Sequence, residues 1–376
     1  MNTLKGRILG PDGFVDGTLE IGDDGRIARV TGSPVAAAAV RDTRQPLLLP
    51  GFIDLHVHGG GGRDIMEGGD AAVQVAAAHA SHGTTALLAT TMTAPAADLE
   101  AAFAGLRASC MERAPRAARV LGVHLEGPYI NGGKLGAQPD FARPVSMDEL
   151  DRLNAIASIR LITLAPEVDG NMDDIAALTA AGYKVQLGHT LGSYEDGVQA
   201  LARGATGFTH LFNAMTGLHH RAPGMAGAAL AHARYAEIIP DLLHVHPGAI
   251  RVALRAIPCL YCVTDSTAAS GMPDGEYSLG RQTVTKCMGG VRLADGTLAG
   301  STLTMDQALR NLVDALQLDL SDASLRLSGH AADYLGLNDR GRLMPGAWAD
   351  IAMLDRDLNL QDVYVEGASI EFAHAA

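Results

Sequence analysis

Cysteine is scarce in this chain: four residues in 376, too few for a disulfide framework. Cys259 and Cys262 form a CxxC, yet no second pair follows at zinc-ribbon spacing, and CLYCVTD reads as an apolar strand, so both are expected in the core. Basic residues are outnumbered, 29 Lys and Arg against 42 Asp and Glu, for a formal charge of -13. Such a surface repels nucleic acid and anionic membranes, so neither is an expected partner. An anionic ligand would need a local cationic site to overcome that field. No apolar run approaches the roughly 18 residues of a membrane helix. The opening MNTLKGRILGPDG has no long apolar core and does not read as a signal peptide, so a cytoplasmic location is expected.

What is present is an ordinary globular balance, 47% hydrophobic and 19% charged, over a length that suits one large or two ordinary domains. Eight short apolar or β-branched runs alternate with Ala/Leu-rich stretches. The runs are 51–57, 84–90, 119–127, 159–167, 183–190, 205–212, 236–245 and 259–266. Helices are expected over 70–83, 193–205 and 248–257, and again within 305–336. Eight strand–helix units argue for a (β/α)8 barrel over residues 51–340. Residues 1–50 and 341–376 are turn-rich and strand-like, and are expected to pair into one small discontinuous β-sandwich domain.

GFIDLHVHG (51–59) places Asp54, His56 and His58 on one parity of a strand. Burying three such groups together is costly unless they share a partner. Glu126, His189, His210, His244 and Asp265 fall at the ends of other runs, which in a barrel converge on one mouth. Glu126, His189 and His210 make a two-His, one-carboxylate set with room for an open position, which suits a catalytic Zn2+. His56 and His58, with Asp265 near both, offer a second place, and two ions about 3.5–4 Å apart can share a bridging hydroxide. Asp54 would then orient a ligand. His124 shares the parity of Glu126 and is expected to support a ligand. His79, His82, His232, His330 and His374 are expected at the surface or in packing, and His246 in solvent.

At this point PGFIDLHVHG resembles the first-strand motif of the amidohydrolase superfamily. HLEGPYIN (124–131), LAPE (164–167), LGHT (187–190), THLFNAM (209–215), VTDSTAASG (263–271) and the closing GRLMPGAWADIAMLD are similar, in order and spacing, to the N-acetylglucosamine-6-phosphate deacetylase family. The resemblance spans nearly the whole chain. It implies a metal-dependent deacetylase on a barrel with a small β-sandwich. The main divalent metal would sit on Glu126, His189 and His210, most simply Zn2+ with Fe2+ as an alternative, as one ion or two. Asp265 would be the catalytic acid/base.

The resemblance also implies substrate contacts at Ala137, Asn213, Ala214, Arg221, His244, Ala299, Gly300 and Ser301, with Arg221 and His244 gripping the sugar phosphate. In related enzymes the phosphate site is completed across a homodimer interface. Where the family loop often reads KGAH, with the His near the acetyl carbonyl, this chain reads LGAQ and has Gln138. Gln donates a hydrogen bond but carries no charge. His219 and His220 stand beside Arg221 as expected loop residues that can assist with phosphate. The galactosamine epimer is an alternative substrate. A cyclic-amide hydrolase is a more distant one, disfavoured because the fourth run, IRLITLAPE, lacks the metal-bridging lysine common in such enzymes.

Overall fold

The computed structural model describes residues 2–370; residue 1 and residues 371–376, including His374 and the end of the second terminal segment, lie outside the described residues. Eight strands form the barrel: β1 (Phe52–Val57), β2 (Thr84–Thr91), β3 (Arg119–Glu126), β4 (Ile159–Leu164), β5 (Lys184–Leu187), β6 (Gly207–Phe208), β7 (Tyr235–Ile238) and β8 (Cys259–Cys262). β1 to β6 pair in sequence as one parallel sheet, and β7 pairs with β8 in parallel. The ring closes through a few backbone bonds, with His58 and Gly59 N–H donating to the Ser266 carbonyl at 2.9 and 3.0 Å. Leu211 N–H donates to the Glu237 carbonyl at 2.9 Å, and Asp265 N–H donates to the His56 carbonyl at 3.0 Å. Strands buried on both faces read as continuous apolar runs, which is why 84–91 and 159–164 show no alternation.

Helices Ala71–Ala80, Tyr194–Ala202 and Pro247–Ala256 stand where the sequence places them. Ser193 opens the second with a reciprocal cap to Asp196. Residues 305–335 hold helices Met305–Arg310, Leu320–Leu327 and Gly329–Leu335, the first running into a π-turn at Asn311–Ala315.

Two expected strands are shorter than their apolar runs. β7 stops at Ile238, two residues before Pro240, so His244 does not end a strand but sits in the loop before helix Pro247–Ala256. β6 is only Gly207–Phe208, because His210 turns to φ 28° and its N–H is drawn to the Glu237 carboxylate at 3.2 Å.

The chain ends join in one seven-stranded sheet, in which Leu47–Pro50 pairs antiparallel with Ile351–Leu354. Alternation gives it two apolar faces. Ile8, Leu48 and Ile351 pack with Leu19, Ile21 and Ile27 inside the sheet's own curl, which the Arg26–Trp348 bridge draws together. Leu47, Leu49, Ala352 and Leu354 pack against the barrel core. Between β8 and residue 305 lies a three-stranded antiparallel insertion, Gly275–Leu279, Gln282–Cys287 and Gly290–Arg292. It packs Leu279, Val284 and Val291 onto Met92 and walls one side of the barrel mouth.

Candidate metal centre and active site

The C-terminal ends of the strands surround a cavity of about 360 Å³. His58, Glu126, His189, His210 and Asp265 line it, and His56 lies buried behind. Glu126, the last residue of β3, is the hub. Its Oε1 is 3.2 Å from His189 Nε2 and 3.0 Å from His210 Nε2. Its Oε2 is 3.1 Å from His58 Nε2 and 3.5 Å from His56 Nε2. Asp265 Oδ1 completes the second group, 3.4 Å from His58 Nε2 and 3.5 Å from His56 Nε2.

The outer ring nitrogens decide what these groups suit. His189 Nδ1–H donates to the Lys134 carbonyl at 2.8 Å, His58 Nδ1–H to the Thr90 carbonyl at 3.2 Å, and His56 Nδ1–H to Glu237 Oε2 at 3.0 Å. Each neutral ring has one N–H, so each Nε2 points a lone pair at a carboxylate oxygen. Lone pairs facing carboxylates repel unless a cation lies between them. Two sets of donors, Glu126/His189/His210 and His56/His58/Asp265, therefore fit divalent cations, with all ligand atoms of each set within 4.8 Å of one another. His124 stands apart from this: Nδ1–H donates to the Leu55 carbonyl at 3.1 Å and Nε2 accepts from the Thr163 hydroxyl at 2.7 Å, so neither nitrogen is left for a metal.

Burial and charge set the protonation of the site. Burial alone would raise Glu126, but His56, His189 and His210 outweigh it and hold the carboxyl well below its ordinary range. Burial opposes charge on His56, yet where no cation lies between the groups Glu126, Asp265 and Glu237 outweigh it and lift the imidazole well above its ordinary value, so that a proton on Nε2 would stand where a cation would otherwise sit. Burial drives Asp54 up to about 7, against hydrogen bonds from Thr264 and the His56 N–H. Asp54 Oδ2 accepts from the Thr264 hydroxyl at 2.6 Å, which ties β1 to the segment that presents Asp265.

The backbone places these side chains by leaving the strand conformation. His189, His210 and Asp265 lie just beyond β5, β6 and β8 with φ of 48°, 28° and 50°. Such strain in non-glycine residues gathers at functional sites. Gly188 permits the first of these turns: a Cβ there would stand 2.8 Å from Thr209 Cβ and 2.9 Å from Thr163 Cγ2. Gly300, at φ +64°, runs so close to the Asp265 segment that a Cβ would meet the Asp265 carbonyl at 3.0 Å.

Of the other sequence-derived site residues, Ala137, Asn213, Ala214, His244 and Gly300 line the cavity. Ala299 and Ser301 are buried behind it. Ser301 N–H donates to the Asp265 carbonyl at 2.7 Å and its hydroxyl to the Thr264 carbonyl at 2.5 Å, so it braces Asp265 without facing the cavity. Arg221 does not line the cavity; it lies on an exposed loop, 2.9 Å from His220 Nε2. Gln138 does not hang free beside a carbonyl position. Its Nε2 donates to Glu126 Oε2 at 2.6 Å. His244 Nδ1–H donates to Asp241 Oδ2 at 2.6 Å; burial opposes protonation, but Asp241 outweighs it and raises the imidazole above its ordinary value.

Sequence reasoning missed Glu237, fully buried in β7 behind His56, and Lys134, a cation on the cavity wall with no ion pair among the described residues. Glu237 had a signal: it is the one charged residue in the apolar run YAEII. Lys134 had none, since an isolated loop lysine is ordinary.

The model of the amidohydrolase family matches residues 47–370. The chain is 38% identical to the N-acetylgalactosamine-6-phosphate deacetylase of Escherichia coli O157:H7 over 97% of this chain and 98% of that protein. It is 39% identical to the N-acetylglucosamine-6-phosphate deacetylase of Vibrio furnissii over 85% of this chain and 82% of that one. A variant of the Mycobacterium smegmatis N-acetyl-D-glucosamine-6-phosphate deacetylase, solved in complex with N-acetyl-D-glucosamine-6-phosphate, superposes with a TM-score of 0.89 at 33% identity, covering 98% of this chain and 99% of that one.

Proposed function

This chain belongs to the amidohydrolase family, and we propose that it is the deacetylase that converts N-acetyl-D-glucosamine 6-phosphate to D-glucosamine 6-phosphate and acetate. The observation that carries the reading is the convergence of Glu126, His189 and His210 beside Asp265 in one cavity. The relatives named above support the substrate class.

Glu126, His189 and His210 would hold the principal divalent cation, and His56, His58 and Asp265 a second. The nitrogen and oxygen donor set favours Zn2+, with Fe2+ acceptable to the same ligands. The cation supplies Lewis acidity toward the acetyl carbonyl and eases deprotonation of water. Asp265 takes a proton from the water whose oxygen bonds to the acetyl carbon. It returns that proton to the sugar nitrogen as the C–N bond breaks. Ser301 braces the Asp265 segment from behind, and Gly300, with no Cβ, leaves room for it at the cavity.

Asn213, Ala214 and Ala137 line the path of the sugar. His244, whose imidazole Asp241 raises above its ordinary value, and Lys134 would give the phosphate its local cationic wall within an acidic chain. Arg221 lies exposed on its loop, outside its own cavity, and in a homodimer it would complete the phosphate site of the second copy. No helix of the described residues is long and apolar enough to cross a membrane, and a sugar-phosphate substrate accords with a cytoplasmic enzyme.

One observation favours a second reading. The relative aligned along almost the entire chain acts, by its name, on the galactosamine epimer. Rates of acetate release from the two sugar phosphates and from unphosphorylated N-acetylglucosamine decide between them. The proposal expects the glucosamine phosphate to have the highest kcat/KM; a higher value on the galactosamine phosphate replaces the substrate, and release from neither removes the reading.

A further inference from the structure

Gln138 is buried on the cavity wall, and both ends of its amide are engaged. Oε1 accepts from the Thr93 backbone N–H at 2.7 Å. A backbone N–H only donates, so this bond fixes which end of the amide is oxygen. Nε2 is thereby left facing Glu126 Oε2, 2.6 Å away, in a charge-assisted hydrogen bond. Its anchor is firm: Thr93 follows β2, and Gln138 N–H closes its own loop on the Leu135 carbonyl at 2.9 Å.

The two oxygens of Glu126 face different partners. Oε1 faces His189 and His210, while Oε2 faces His58 and His56. Gln138 touches only Oε2. A carboxylate that must offer one oxygen to each of two ligand groups needs its plane fixed, because rotation about the last torsion is soft. Oε1 is flanked by two imidazoles. Oε2 has Gln138 as its only amide donor among the described residues.

We propose that Gln138 is a positioning residue that turns the plane of Glu126 so that Oε2 serves the His56/His58/Asp265 group. Its contact is one-sided, because Oε1 is held separately between His189 and His210. It supports the cation held by that group and has little to do with the one held by Glu126, His189 and His210. The inference rests on the metal-dependent reading above. It assigns Gln138 to the ligands rather than to the substrate carbonyl. Groups that orient a ligand in this way change metal affinity by 10–100-fold when removed.

The test is a zinc titration of the whole chain against a chromophoric chelator, with Zn2+ as the probe. Wild-type protein is expected to bind in two steps. Gln138→Met, which keeps the reach but has no donor, is expected to weaken the looser step by 10–100-fold and to move the tighter step by less than about threefold. Gln138→His restores the looser step, since a neutral imidazole also accepts with one nitrogen and donates with the other. Equal shifts in both steps, or none, overturn the inference and leave the metal reading standing, as does a wild type with a single step. A wild type that binds no Zn2+ overturns both. Should Gln138→Met fail to fold, a crystal structure of zinc-loaded wild type decides: Gln138 Nε2 stays on Glu126 Oε2, or it has turned away and the inference falls.

Discussion

Glu237, on β7, accepts the Nδ1–H of His56, on β1, at 3.0 Å, although neither side chain reaches solvent. The bond fixes the His56 tautomer and aims Nε2 at Glu126 and Asp265. Tyr261 donates its hydroxyl to the other carboxylate oxygen at 3.4 Å, so the orienting group is itself held. Glu237→Gln keeps the shape and removes the charge. It is expected to weaken zinc binding by about 10–100-fold without loss of fold. Competitive zinc titration with a circular dichroism control checks this; unchanged affinity would show that His56 is not a ligand.

Asp265 lines the cavity with Oδ1 3.5 Å from His56 Nε2 and 3.4 Å from His58 Nε2. Asp265→Asn is expected to lower kcat by about 10²–10⁴, with the cation on Glu126, His189 and His210 retained. Steady-state rates and metal analysis on the same sample test both halves. Normal turnover would remove the proton shuttle.

Much of this centre was legible in the chain itself. His56 and His58 share a strand parity, and Glu126 and Asp265 interrupt apolar runs at their ends, a pattern that burial does not tolerate without a shared partner. The barrel followed from eight alternating units. What could not be read depends on backbone departures and long-range pairing. The left-handed turns at His189, His210 and Asp265 break the parity argument just where it is most needed. His244 looked like a strand end because LLHV is apolar, but Pro240 ends β7 earlier. The insertion over 275–292 carried alternation and Gly turns, yet nothing in its composition shows that it walls the mouth. Gln138 and Glu126 are twelve residues apart, and only the folded loop brings them to 2.6 Å.

Phosphate recognition separates into two contributions. Lys134→Ala is expected to raise KM for the phosphorylated sugar about tenfold while leaving an unphosphorylated analogue nearly unchanged, a difference of about 1.4 kcal/mol. Arg221→Ala is expected to do the same only where two copies associate, because Arg221 lies outside its own cavity. Equal effects on both sugars would take either residue out of the phosphate site. Protonated His244 adds a pH dependence. Its raised value means phosphate binding is strongest at low pH and weakens as pH climbs through that value, so KM rises on the alkaline side.

His79, which is not itself in either donor group, provides a stability test. Buried behind β1, it donates toward the Gly59 carbonyl at 3.0 Å, and burial pushes its imidazole down to about 4. In the unfolded chain the same ring takes a proton near 6.5. The unfolded state therefore binds more protons between these values, and stability falls as pH drops from about 6.5 to about 4. The full effect is on the order of 3 kcal/mol. His79→Gln should flatten this part of the pH–stability curve in urea unfolding; an unchanged slope would place the acid sensitivity elsewhere.

The most direct test of the whole account is acetate release from N-acetylglucosamine 6-phosphate by protein stripped with a chelator and then titrated with Zn2+. The account predicts negligible release from the stripped protein and recovery in step with zinc bound at Glu126, His189 and His210. Full activity after stripping, or none at any zinc level, would contradict it.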